Sequence, residues 1–347
     1  MSKISDHKIL IFDVYGTLAD WETGLFDALQ PLLKKYSASR SWSRKDSLTA
    51  FSSVETDLQA QYPTMLYSDL LVKSHEVLEE RLKALATANP AAGGGTGSTL
   101  AGDVAPSEAE ATSSEGAGSS AAANDLSTDS SAPARVGTDA HKAFGSSIRE
   151  WPIFADTSDA LHRLSKHFKL VVLSNVDRES FKYTHALLSE GLVHADLTQE
   201  ILKSYTYPDP NPNRFWHPQE TTPKSRSPFT LILTAQDTGC YKPATGGFTT
   251  ALQYLSSQST LTGNLSISSN DADGIKSKVL VVAQSLTHDH EPAHQLGIKS
   301  VWIDRPGAVT CNERPGGSDA KTKWTWRFDT LGAMADELES ETASSSQ

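Results

Sequence analysis

Residues able to do chemistry stand in four short stretches of this 347-residue chain, each following an apolar run, Lys242 after a short loop. The first run, Ile9 to Phe12, has the length of a buried strand and ends on Asp13, with Gly16 permitting a sharp turn. A carboxylate there is costly unless donors surround it, a cost that is tolerable where the ionised acid attacks a substrate and forms an ester. By itself Asp-x-x-Gly reads as a turn closing a strand. The other stretches are Ser174-Asn175, Lys242, and His288-Asp289-His290. Lys242 can keep Asp13 ionised and neutralise an anionic substrate. Ser174 and Asn175, if they open a helix, add donors beside backbone N–H groups suited to an anion. Asp289 can position Lys242 or orient the water that cleaves the ester. Taken singly, Lys242 reads as a surface lysine before Pro243, and Ser174-Asn175 as a helix cap. Their recurrence at strand ends favours an active site.

The elements that must carry these residues follow from periodicity. Leu25, Phe26, Leu29, Leu32, Leu33 and Tyr36 share one helical face, as do Leu48, Phe51, Val54 and Leu58, and then Leu71, Leu78, Leu82 and Leu85. These stripes read as packing faces of three helices. The segment 89–134 holds Gly, Ala, Ser and Thr with no aromatic residue, too little apolar area to offset ordering, and is expected to be a disordered insertion. Beyond Trp151 helices and strands alternate: strands at 169–173, 229–233, 278–282 and 299–303, with helices near 157–168, 177–188, 243–255 and 292–296 between them. The proline-rich 205–228 and the polar 256–277 read as irregular insertions. After Arg305 the expectation is a loop, a helix over 331–338, and a frayed tail at 341–347.

This order predicts an α/β, doubly wound parallel sheet with an inserted helical subdomain. The core is expected over 1–20 and 146–340, and the helical part over 21–145. In such sheets ligands sit at the carboxyl ends of the strands, where Asp13, Ser174, Asn175, Lys242 and Asp289 all fall.

Composition narrows the classes. A formal charge of −11 and a pI near 5.5 give no footprint for nucleic acid or an anionic membrane surface. No apolar run approaches a membrane span, and the N-terminus, Met1 to His7, is polar with no secretory apolar stretch before the first strand. Two cysteines, Cys240 and Cys311, are too few for a disulfide framework. The expectation is a reduced, soluble, cytoplasmic protein. His288-Asp289-His290 invites a metal reading, but side chains on an extended segment diverge and no third ligand stands at a suitable spacing.

The four stretches resemble the motifs of the haloacid dehalogenase (HAD) superfamily, type II (S)-2-haloacid dehalogenase-like. Phe12-Asp13-Val14-Tyr15-Gly16-Thr17-Leu18 is similar to its nucleophile motif, Leu173-Ser174-Asn175 to its second, Tyr241-Lys242-Pro243 to its third, and 284–289 to its fourth. The resemblance implies a Rossmannoid core with a mobile helical cap over the site. Phosphatases of the superfamily carry a second aspartate two positions after the nucleophile to protonate the departing alcohol; here that position is Tyr15. A halide leaves unprotonated, so the motif suits displacement at carbon. The implied reaction takes a 2-haloalkanoate, a small organic acid, through an ester of Asp13 to a 2-hydroxy acid and halide, without a metal. By the same resemblance the Val14 and Tyr15 N–H groups and Ser174 bind the substrate carboxylate, Asn175 binds the halide, and Thr17 supports the nucleophile. A homodimer is common among such relatives. The chain departs from the pattern at Phe248, where a tyrosine is usual, and in the motif-four residues Gln284, Ser285, Leu286 and His288. The halide-cradling arginine has Arg40 and Arg44 as candidates. The alternatives are a magnesium-dependent phosphatase, with the ion on Asp13, the Tyr15 carbonyl and Asp289, and a non-catalytic binding protein.

Overall fold

In the computed structural model, residues 2–88, 136–222, 224–258, 272–311 and 323–345 are described. The expected insertion at 89–134 and most of the one at 256–277 lie outside them. Six strands form one parallel sheet: β1 (Ile9–Phe12), β2 (Lys169–Ser174), β3 (Phe229–Thr234), β4 (Val279–Ala283), β5 (Lys299–Ile303) and β6 (Trp326–Phe328), ordered β3-β2-β1-β4-β5-β6. β1 is central, with Phe12 level with Val172 on one side and Val282 on the other. Asp13 therefore leaves the sheet at its middle.

Both faces of the sheet are covered, which is why its inner strands are continuously apolar rather than alternating. Leu10, Phe12, Leu170, Val172, Leu280 and Val282 join one buried cluster. Their neighbours Ile9, Ile11, Val171, Leu173, Val279 and Val281 join a second, with Phe248, Leu252 and Leu255 of the helix Gly246–Ser257.

Between β1 and β2 the chain forms α1 (Trp21–Lys35), α2 (Arg44–Gln61), α3 (Tyr67–Ala88) and α4 (Val136–Gly145). The expected stripes are their packing faces: Leu25, Leu29, Leu48, Phe51, Val54, Leu71, Leu78 and Leu82 are buried, whereas Leu85 is exposed. Ser43 caps α2 with a reciprocal pair of bonds to Asp46. α4 has no counterpart among the expected helices. It docks on α3 through Phe144, which stacks on His75, and through His141, whose Nδ1 lies 2.6 Å from His75 Nδ1. α5 (Thr157–Leu164) and α6 (Arg178–Glu190) then flank β2 in sequence.

The sequence reading also needs correction at the C-terminal end and after β4. β6 lies where a loop was expected: Trp326 and Phe328 are only partly buried, Arg327 is exposed, and three residues are too few to show a period. The last helix runs from Leu331 to Ser345, well past 338. Its outer turns are tied down where Asp336 and Glu339 receive Arg163, and Glu341 accepts from the Ile4 and Ser5 amides. Segment 286–290 is a compact helical turn closed by Ser285, not an extended strand end. The irregular 205–228 does contain one sheet contact: the Trp216 carbonyl accepts from Ile232 N at 2.9 Å and covers part of the β3 edge. No helix among the described residues is long and apolar enough to cross a membrane.

Buried histidines give the fold a pH dependence. Burial pushes His185 down to about 3, and it pushes His75 and His290 down to about 4. The unfolded chain takes up these protons first as pH falls below about 6.5, so stability is lost between there and pH 4, by about 1.4 kcal/mol per pH unit for each group. Urea midpoints measured from pH 7 to pH 4 should decline relative to those of His185→Leu, with a slope difference of up to one proton. Parallel profiles for the two proteins would contradict this.

Candidate active site

The loop after β1 is built by its own backbone. The Val14 carbonyl accepts from Leu18 and Ala19 N, and Gly16 N donates to the Ala19 carbonyl at 2.7 Å. Gly16 has φ +101, and a Cβ there would stand 3.0 Å from Gln284 Oε1 and 3.1 Å from Trp21 Nε1. Only glycine fits. This turn holds Asp13 in place, with 7% of its surface exposed.

Three of the expected side chains converge. Lys242 Nζ donates to Asp13 Oδ1 at 2.8 Å, to Asp289 Oδ1 at 2.8 Å, and to the Leu173 carbonyl at 3.0 Å. All three donor positions of the ammonium are thus used, and the group is buried. Burial alone would lower the lysine; the carboxylates of Asp13 and Asp289 outweigh it and hold the ammonium above its ordinary range. Burial pushes Asp289 well up from an ordinary aspartate, against the pull of Lys242. Thr17 Oγ1 donates to Asp13 Oδ2 at 2.6 Å and accepts from Gln284 N at 2.8 Å, so its hydroxyl can point only at the carboxylate. Each Asp13 oxygen therefore holds one donor and keeps a second lone pair.

The remaining candidates take other places. The Asn175 carboxamide is committed to the Lys242 backbone: Nδ2 donates to its carbonyl at 3.0 Å, and Oδ1 accepts from its N–H at 2.7 Å. It still lines the cavity, but these bonds make it a clamp for Lys242. Ser174 and Asn175 do not open a helix, because α6 starts at Arg178 behind an Asp177 cap. Ser174 Oγ is buried without a hydrogen-bond partner among the described residues. Val14 is buried in the core beneath the turn. Tyr15 lines the cavity, with its hydroxyl 3.0 Å from Thr184 Oγ1 and its ring edge-on to Trp151. Burial raises that phenol further above its usual range, which makes it a poor proton donor.

Asp13, Tyr15, Asn175, Lys242 and Asp289 open on one cavity of about 480 Å³. Arg44 does not line it. It stands in a separate cavity of about 140 Å³, 3.7 Å from Asp20 and 3.6 Å from Glu22. Arg40 is exposed, and neither arginine is placed to cradle a halide beside Asp13. His290 is structural, with Nδ1 2.7 Å from Ser300 Oγ and Nε2 3.0 Å from the Ala283 carbonyl. His288 lines the cavity and lies 3.0 Å from Ser285 Oγ. No group of three His, Cys, Asp or Glu side chains among the described residues could share a metal ion.

Sequence reasoning missed the far wall of the cavity. Ser52, Glu55, Thr56 and Gln59 of α2 face it together with Tyr67 of α3. Their i, i+3, i+4, i+7 spacing is a polar helical stripe beside the apolar one, and it was legible in principle. Burial pushes Glu55 up to about 7, although the Tyr67 hydroxyl donates to its Oε1 at 2.6 Å.

No protein-family model matches the chain, and no curated protein matches it. Among solved structures it is similar to a defluorinating L-2-haloacid dehalogenase, at 11% identity over 98% of this chain and 99% of that one, with a TM-score of 0.51. It is also similar to the L-2-haloacid dehalogenase from Xanthobacter autotrophicus, at 12% identity over 96% of this chain and 98% of the other, with a TM-score of 0.50. At such identities the likeness speaks for the fold alone.

Proposed function

Starting from the haloacid dehalogenase-like fold that this chain adopts, we propose that it is a hydrolase whose nucleophile is Asp13, acting on a 2-haloalkanoate. The observation that carries this reading is the buried Asp13–Lys242–Asp289 array beside Tyr15, a poor proton donor. A carboxylate oxygen of Asp13 forms a bond to C2 as the carbon–halogen bond breaks, and the halide takes the electron pair. Water then adds to the Asp13 carbonyl carbon, the ester C–O bond on the Asp13 side breaks, and the 2-hydroxy acid leaves. Asp289 Oδ2, buried and without a hydrogen-bond partner among the described residues, is the available acceptor for the water's proton; the raised affinity of that carboxyl for a proton suits a general base. Lys242 pairs with the Asp13 carboxylate, and Thr17 directs its hydroxyl proton at the attacking group. The helices α1 to α4 act as a cap over the cavity.

The same orphaned Asp289 oxygen favours one second reading. With Asp13 and the Tyr15 carbonyl it would face a magnesium ion, which accepts one or two carboxylates plus waters and would bind a phosphate ester. Against it, both carboxylates already neutralise Lys242, and Tyr15 stands where a phosphatase of the superfamily carries its second aspartate. Chloride release from (S)-2-chloropropionate, measured beside p-nitrophenyl phosphate hydrolysis with and without magnesium, separates the readings. Chloride release independent of magnesium is expected. Phosphate release only with magnesium would replace the dehalogenase reading, and neither activity would favour a binding protein.

A further inference from the structure

The nucleophile explains one end of the cavity and leaves its other end unused. At about 480 Å³ it falls within the range of roughly 300–1,000 Å³ spanned by sites for drug-sized ligands, more room than a three-carbon acid needs. The far wall is the polar face of α2, while Leu48, Phe51, Val54 and Leu58 of the same helix turn into the bundle. Glu55 is the one ionisable group on that face, and it is half-buried. Its Oε1 accepts from Tyr67; its Oε2 has no hydrogen bond or ion pair among the described residues. Partial burial makes that carboxyl reluctant to ionise, and its second oxygen, not among the buried unpartnered atoms, stays accessible to a ligand in the cavity. Ser52, Thr56 and Gln59 beside it are neutral, so no wall residue of α2 supplies a counter-charge.

We infer that the molecule taken by this cavity carries a hydrogen-bond donor, a hydroxyl or an ammonium, at the end away from its reacting carbon, and that Glu55 receives it. This rests on the hydrolase reading above and narrows its substrate to a chain of several carbons with a polar terminus. Glu55 is then a specificity residue: it touches the substrate far from the bonds that change.

The test is calorimetric binding of unreactive 2-hydroxy acids of three to six carbons. Each is compared in three forms, with a terminal hydroxyl, with a terminal amine, and as the parent lacking either. The full-length protein should bind at least one donor-bearing acid about tenfold or more tightly than its parent, since a site built to receive a donor discriminates strongly against its absence. Which donor wins identifies the terminus. Glu55→Leu should bring the preference to within about twofold, whereas Glu55→Gln, which keeps an acceptor, should retain part of a hydroxyl preference and lose an ammonium preference. Equal affinities at every length, no binding of any donor-bearing acid, or a preference that survives Glu55→Leu overturns the inference. Halide release from (S)-2-chloropropionate without any donor preference would sink this inference alone, and a donor preference without halide release would sink only the dehalogenase reading.

Discussion

Asp13→Asn should reduce halide release by about 10⁴-fold or more, the scale seen when a covalent nucleophile is removed. The carboxamide keeps an acceptor for Lys242 or Thr17, so the fold should survive with a cooperative unfolding transition. What the change removes is the charge that attacks carbon. A single-turnover reaction in ¹⁸O-labelled water distinguishes attack by Asp13 from activation of water by Asp13. If Asp13 forms the ester and water enters at its carbonyl carbon, the label appears in Asp13 and the first product carries none. Label in the first product would make the group a general base, and undiminished halide release by the variant would remove Asp13 from the reaction altogether.

Lys242→Met should be damaging in two separable ways. The ammonium is the shared counter-ion of Asp13 and Asp289, and the three groups are buried together. Removing it leaves two carboxylates facing each other out of water. Breaking a buried ion pair from one side typically costs about 3–5 kcal/mol, so a loss of that size is expected at neutral pH. The sign with pH is fixed by the repulsion. Both carboxyl groups would bind protons more readily in the folded variant than in the unfolded chain, so the deficit relative to wild type shrinks as pH falls toward 5. Denaturant unfolding of both proteins at pH 7.5 and pH 5 measures this, and equal stability at pH 7.5 would refute it. Halide release should drop by about 10³-fold, comparable to the loss of one electrostatic donor at a reacting group. A double substitution, Lys242→Met with Asp289→Asn, removes the repulsion and should recover much of the stability without recovering activity.

Several parts of the molecule were legible in the residues themselves. β1 and β2 are continuous apolar runs because both faces of the sheet are covered, and such runs announce themselves at any length a strand can have. The packing stripes of α1, α2 and α3 follow from helical spacing. Asp13, Lys242 and Asp289 could be picked out because each stands after a strand of a parallel sheet, and that topology brings all such positions to one edge. Their meeting at 2.8 Å is the outcome such a placement implies.

Other features depended on neighbours that local pattern does not name. Asn175 looks equally suited to a helix cap, an anion or a backbone clamp; only the arrival of the Lys242 peptide beside it selects the clamp. Arg44 lies at a plausible distance along the chain from Asp13, yet Asp20 and Glu22 stand at a different cavity and hold it there. β6 exists because Trp326 to Phe328 find the open edge of β5, an event decided by the sheet rather than by three residues of sequence. Glu55 would pass for a solvated helix residue until α3 brings Tyr67 against it. The amino-acid sequence by itself determined which segments bury their apolar area and therefore which residues end the strands, because burial follows periodicity. The tertiary structure alone decided what each polar group faces, because a hydrogen bond or an ion pair depends on ångström-scale placement of partners distant in the chain.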